Sequence, residues 1–202
     1  MIKLFKRLFA LLLVSVVIFG VLTFPYIKSG YRMYKQAVEQ MPIEQKVEEI
    51  RAKDGYTPFE EISPIFVQTL INSEDRRFYQ HFAVDPISLV RAVVANLFHK
   101  EYAQGGSTLT QQLAKNMYFS FDKHLERKVA EVFVAVQLEK MYTKDEILAL
   151  YSSVVYFGQN CYGVKHAAGY YYGTQPHLLN EQQSKELVRA LKAPSVYNPS
   201  TM

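Results

Sequence analysis

From Leu8 to Ile27 the chain carries no charged residue, and most of these twenty positions are Leu, Val, Ile, Phe or Ala. At about 1.5 Å per residue a helix of that length spans about 30 Å, the hydrocarbon thickness of a bilayer. Lys3, Lys6 and Arg7 precede the run. It is longer than a usual signal-peptide core, and no small-x-small cleavage site follows it. Phe24, Pro25 and Tyr26 read as an interfacial exit. The segment is therefore expected to be an uncleaved single-pass anchor over residues 1–28. Lys28, Arg32 and Lys35 follow it, so the positive-inside count is close to a tie. An N-terminus in the cytoplasm with the rest of the chain outside is the orientation that the later motifs favour.

The remaining length suits one domain. Of the 202 residues, 49% are hydrophobic, enough for a sizeable core. Cys161 is the sole cysteine and makes no intrachain disulfide. A net charge of +4 with many Tyr and Phe fits nucleic acid, anionic lipid or a phosphate-bearing substrate, and does not choose among them. Residues 29–58 read as a charged connector. Tyr34, Val38 and Met41 form a weak helical stripe, Pro42 ends it, and Glu44 to Arg51 suits another short helix.

In the third segment, 59–202, Ser63 and Pro64 look like a helix start. Val67, Leu70, Ile71, Glu74 and Phe78 then fall at helical spacing. Glu74 is thus an acid at the C-terminal end of an apolar stripe. The helix dipole and apolar neighbours both disfavour negative charge there. A solvated loop acid paired with Arg76 or Arg77 is the simpler reading of that position alone. His81 reads as a hydrogen-bonding strut beside the Asp85-Pro86 cap of the next helix, which runs to about His99.

Gly105-Gly106-Ser107-Thr108-Leu109-Thr110-Gln111-Gln112 is a flexible turn feeding a helix, with Thr108 and Gln111 as a capping box. Such a turn offers free N–H groups to an anion. The glycine spacing is not that of a Walker loop. Ser107, Thr108, Thr110, Gln111, Gln112, Lys115 and Asn116 put polar groups on more than one helix face, which is more than a cap needs.

The run from Val129 to Leu138 is apolar nearly all round, so the helix over His124 to Met141 is expected to be central and buried. Glu131 interrupts it. A buried carboxylate needs partners, and Arg127 and Lys128 lie four and three residues earlier. Thr143 with Glu146, and Asn180 with Gln183, are further capping boxes, the second for a last helix to about Leu191. Val164, Ala167, Ala168 and Tyr171 suggest a small-residue helix packed closely against a neighbour. Tyr170-Tyr171-Tyr172 is read as core rather than as a sugar-stacking face. No strand pattern stands out, and the fold class is mainly α.

These blocks together resemble the peptidoglycan glycosyltransferase family, the transglycosylase domain of class A penicillin-binding proteins and of monofunctional glycosyltransferases. The resemblance covers about Phe59 to Pro199. It rests on Glu74-Asp75-Arg76-Arg77-Phe78 with His81, Gly105 to Asn116, Arg127-Lys128-x-x-Glu131, Lys144 to Gly158, and Lys192 to Pro199. It implies a lysozyme-like helical domain held outside the cytoplasmic membrane by the N-terminal helix, and polymerisation of lipid II into glycan strands. Glu74 matches the general base and Glu131 the second acid. Ser107, Thr108, Gln111, Gln112, Lys115, Asn116, Arg127 and Lys128 match substrate- and pyrophosphate-binding positions. Asp75, Phe78 and His81 match structural support. No cofactor is required by the sequence; the resemblance allows a divalent cation, Mg or Mn, near Glu131. The implied partners are lipid II, the growing strand, the membrane and other cell-wall synthesis proteins, with no nucleic acid.

Ala83 stands where the family usually has glycine, and Ser152-Ser153 where it usually has Leu-Asn. The chain stops at Met202, soon after the last block, which predicts a minimal or truncated member without acyl-transfer serine chemistry. Ser120 to Lys123 reads as a lid-like stretch. Two other readings follow from the same residues: an inactive scaffold in a cell-wall complex, and a lysozyme-like enzyme that cleaves glycan with Glu74 as general acid.

Overall fold

A computed structural model describes residues 2–98, 105–119 and 124–201. His99 and the lid-like stretch Ser120 to Lys123 lie outside the described residues. Among the described residues the chain is helical with no sheet; Tyr156 and Tyr162 form an isolated antiparallel bridge.

The helices are α1 (Ile2–Gln40), α2 (Ile43–Arg51), α3 (Pro64–Glu74), α4 (Pro86–Phe98), α5 (Leu109–Tyr118), α6 (Leu125–Met141), α7 (Lys144–Val154), α8 (Val164–Tyr172) and α9 (Glu181–Ala190). The apolar run and the first part of the connector form one continuous helix. Its apolar portion is long enough to cross a membrane and, among the described residues, is not buried. Past Pro25 the same helix leans on α6. Gly30 is the close approach, and the rings of Tyr31 and Tyr34 meet Phe133 at 5.1 and 5.6 Å. After Pro42, α2 drops Ile43, Val47 and Ile50 into the core.

The helix surrounded on all sides is α7, not α6. Ile147 through Ser153 are all buried. On α6 only the stripe of Ala130, Glu131, Val134, Ala135 and Leu138 is fully covered. Its opposite apolar face is the one that receives α1, which explains an apolar pattern on both sides of a helix that is not central.

Around α7 the core takes Phe66 and Leu70 from α3, Leu109 and Leu113 from α5, Val164, Ala167 and Ala168 from α8, and Leu187 from α9. Tyr171 and Tyr172 pack against it, whereas Tyr170 is exposed. The capping boxes at Thr108, Thr143 and Asn180 all form. Ser63 caps α3 in backbone position only. Its hydroxyl instead donates to the Leu179 carbonyl at 2.8 Å and ties α3 to the segment before α9.

A Cβ at Gly30 would lie 2.5 Å from Val129 Cβ and 2.6 Å from the Glu126 carbonyl oxygen, and the latter cannot swing aside. Gly30→Ala is expected to part α1 from α6 and cost about 1–3 kcal/mol, as overpacking does. Gly20→Ala meets nothing within 4 Å and serves as the control. Thermal unfolding of both variants in one detergent, followed by circular dichroism, checks this. A Gly30→Ala melting temperature equal to wild type would mean that α1 is not seated on α6.

Candidate active site

The end of α3 and the start of α5 are joined through Asp75. Its carboxylate is 6% exposed as a residue and accepts the Leu109 backbone N–H at 3.0 Å on Oδ2. Its Oδ1 lies 2.8 Å from His81 Nε2. The other ring nitrogen, Nδ1, meets the Phe82 carbonyl. Both partners are acceptors, so a doubly protonated ring satisfies both. Burial works to lower the His81 pKa and the Lys144 charge does the same. The hydrogen bonds to Asp75 and Phe82, with the Asp75 charge, outweigh them, and the net direction is up. Phe78 is fully buried below, with its ring edge-on to His81 and the Lys144 ammonium 4.3 Å from its centroid. Lys144 also pairs with Glu139 at 2.6 Å, and the same carboxylate oxygen accepts from Thr110 Oγ1 at 2.6 Å.

Glu74 is the last residue of α3 and is half-buried. The helix stops there, so the acid meets polar side chains rather than continuing the apolar stripe with Phe78. It does not pair with Arg76 or Arg77: Arg76 Nε donates to the Asn72 carbonyl at 3.1 Å, and Arg77 bonds Asp85. Gln112 Nε2 donates to Glu74 Oε2 at 3.3 Å, and Ser73 Oγ donates to Oε1 at 3.2 Å. Behind Gln112, the Tyr151 hydroxyl donates to its Oε1 at 3.0 Å. Burial first, then the Glu74 charge, push the Tyr151 pKa far above its ordinary value, so the phenol stays protonated. A donating phenol fixes the amide oxygen towards itself and leaves the amide N–H₂ for Glu74. Reading the sequence did not find Tyr151 as a site residue, since nothing in local spacing joins it to Glu74.

Glu131 is 1% exposed and both its oxygens are held. Arg127 Nε reaches Oε1 at 3.0 Å and Lys128 Nζ reaches Oε2 at 2.7 Å. Lys128 Nζ also donates to Ser107 Oγ at 2.6 Å, so the glycine-rich turn is pinned to α6. Lys115 lies between the two groups of polar residues. It is one turn beyond Gln112 on α5, and its ammonium feels Glu131, Arg127 and Lys128. Its burial and the two cations lower its pKa, with burial the larger cause, while Glu131 raises it. Asn116 is exposed one step further on.

Thr108 and Gln111 are buried, with their polar groups used inside the fold. Thr108 Oγ1 accepts the Gln111 N–H at 3.2 Å and donates to the Ala83 carbonyl at 2.8 Å, and Gln111 Oε1 accepts the Thr108 N–H at 2.9 Å. Of the departures from the family pattern, Ala83 is buried in the loop before α4, and Ser153, buried on α7, accepts the Thr57 N–H on its Oγ at 3.0 Å.

A hard divalent cation takes about six oxygen ligands. Glu131 supplies one carboxylate whose oxygens already face cations, so these residues do not form a cation site by themselves. Asp75, His81 and Asp85 also converge. Asp75 is committed as above, and Asp85 to Arg77 and to the N–H groups of Ile87 and Ser88 at 3.0 and 3.1 Å. This cluster, too, is filled by protein donors.

Thus α3, α5 and α6 bring together an acid beside a glutamine and a cation cluster on a buried acid within one helical domain. Residues 40–202 match the model of the transglycosylase family, and the chain belongs to that family. Its mainly helical, lysozyme-like fold with one N-terminal apolar helix is the one expected of it. The chain is 43% identical over 140 residues to penicillin-binding protein 1A of Escherichia coli K12, covering 69% of this chain and 16% of that protein. It is 35% identical over 206 residues to penicillin-binding protein 1A/1B of Bacillus subtilis, covering 96% of this chain and 22% of that protein. With penicillin-binding protein 1A of Aquifex aeolicus it shares 38% identity over 147 residues, 73% of this chain and 20% of that protein. The chain thus spans about a fifth of the length of these relatives.

The folded pKa of His81 lies above its unfolded value. The stabilisation is therefore complete below the unfolded value of about 6.5 and is lost as pH rises through the folded one. The melting temperature is expected to fall across that window, and His81→Asn to flatten the fall. Calorimetry of both proteins from pH 5 to 9 checks this; parallel profiles would exclude the pair as the cause.

Proposed function

We propose that this chain is a membrane-anchored peptidoglycan glycosyltransferase that polymerises lipid II on the extracytoplasmic side. The observation that supports it most is the pairing, across α3, α5 and α6, of a carboxylate oriented by a neutral amide with cations gathered on a buried acid. Glu74 takes the proton from the 4-hydroxyl of the acceptor sugar. That oxygen attacks the anomeric carbon of the donor with inversion, and the bond to the undecaprenyl pyrophosphate breaks. A pyrophosphate leaves without needing a proton, so one base suffices where a glycosidase needs two carboxylates. Negative charge developing on it is met by preorganised cations, a role we assign to Lys115, Arg127 and Lys128. Glu131 positions Arg127 and Lys128. Ser107, Gln112 and Asn116 contact substrate, and Thr108 and Gln111 hold the turn in shape.

The anchor supports a substrate that is itself lipid-borne. α4 presents exposed Ile87, Val90 and Val94, an apolar face that suits the membrane boundary.

The test is polymerisation of lipid II by the full chain in detergent, with divalent cation supplied. Wild type is expected to make glycan strands. Glu74→Gln should lose about 10²–10⁴ in kcat, the usual worth of a general base. Tyr151→Phe frees the Gln112 amide to turn and should lower kcat about tenfold with KM little changed, as loss of orientation does. Cleavage of finished glycan would favour the lytic reading, and no product from folded wild type the scaffold reading.

A further inference from the structure

One turn along α5 from Gln112, Lys115 and Asn116 line a concavity of about 320 Å³. Its walls include Lys46 of α2, Lys53 of the following turn, Lys115, Tyr156, Tyr162 and His166. Among the described residues no carboxylate lines it. Glu49 lies outside the lining and draws on Lys46 alone, at 3.3 Å. Arg127 and Lys128, which serve the pyrophosphate in the reading above, do not line it either. Lys115 is the one cation common to both places.

Two features of the backbone are spent on shaping these walls. His166 is packed on Gly55, where a Cβ would stand 2.7 Å from His166 Cε1, so a side chain there would have to displace the ring. His166 Nδ1 donates to the Tyr162 carbonyl at 2.8 Å, which fixes the ring's orientation. The loop that brings Tyr156 and Tyr162 together holds Gln159 and Asn160 at φ 47° and 59°, a left-handed conformation that non-glycine residues adopt at a cost. Gly158 and Gly163, at φ 92° and 85°, complete it, and a Cβ on either would strike a carbonyl oxygen at 2.5 Å. The product is a pair of rings 4.8 Å apart at the mouth of a cationic hollow, with Tyr162 exposed.

We propose that this concavity binds the carboxylate-bearing peptide of the acceptor substrate, beside the sugar that Glu74 deprotonates. The proposal rests on the glycosyltransferase reading and adds to it a peptide subsite. The four steps of α5 from Gln112 to Asn116 rise about 6 Å, the scale of one sugar ring. A group attached to a sugar seated at Glu74 therefore reaches this hollow. The phosphates have other cations, so the negative charge that Lys46 and Lys53 suit, with His166 shaping the wall beside them, is a carboxylate. The tyrosine rings offer apolar faces to the peptide's methyl groups and to the sugar.

The experiment compares two forms of lipid II, one with free peptide carboxylates and one with those carboxylates amidated, in polymerisation by the full chain. Wild type is expected to favour the free acid about tenfold in kcat/KM, the worth of one charge-assisted contact. Lys53→Glu should bring that ratio to about one or below, chiefly through KM. Lys53 is an exposed turn residue, so the variant is expected to fold; His166→Gln is the second variant and should lower the ratio in the same direction. Equal use of both substrates by wild type, or a variant that slows both alike, overturns the proposal while leaving the glycosyltransferase reading intact. Adding anionic phospholipid to the detergent separates the remaining source of negative charge: if lipid rather than the peptide carboxylate abolishes the effect of Lys53→Glu, the hollow binds headgroups and the proposal falls. No polymer from either substrate removes the underlying reading and the proposal with it.

Discussion

The Asp75 carboxylate is the joint on which the site depends. It is buried, it accepts the first N–H of α5, and it holds His81. A buried carboxylate is tolerated only when its oxygens are satisfied. Here the satisfaction is also the geometry: Glu74 precedes Asp75 directly, and Gln112 is the residue one turn into α5. Fixing Asp75 to Leu109 N–H therefore sets the distance from Glu74 to Gln112. Phe78, packed edge-on to His81 and under the Lys144 ammonium, keeps the joint from turning.

The second acid works by the same logic with the opposite surroundings. Glu131 is almost fully covered, yet it gathers Arg127, Lys128 and the field of Lys115 rather than backbone donors. Removing one partner of such a group costs more than the pair itself contributes. The cations are thereby held in place before any anion arrives, and preorganisation of this kind is what stabilises developing charge. The family relationship joins this arrangement to transglycosylases, and the chemistry proposed for it asks nothing of the residues beyond what they already do.

Much of this was legible beforehand. The apolar run named a membrane-length helix, the three capping boxes formed where their spacing put them, and Arg127 and Lys128 reached Glu131 from the preceding turn. These are local signals, decided within four residues by helix geometry. Two expectations went differently for non-local reasons. α6 looked central because both its faces are apolar, but one face is covered by α1, and α7 is the helix enclosed on every side. Ser63 looked like a side-chain cap, but Leu179 supplies a better acceptor from across the fold. Thr108 and Gln111 are buried, with their polar atoms engaged in the capping box that their spacing predicts.

The sequence by itself determined the capped helix starts, the membrane-length apolar run and the family, because periodicity, caps and motif order are written in neighbouring residues. Only the tertiary structure decided which way the Gln112 amide points, that Tyr151 turns it, and that Lys46, Lys53 and His166 share one hollow with Lys115. Those facts depend on side chains from helices distant in sequence meeting across a packed core, and hydrogen-bond direction and cavity shape exist only once that packing is complete.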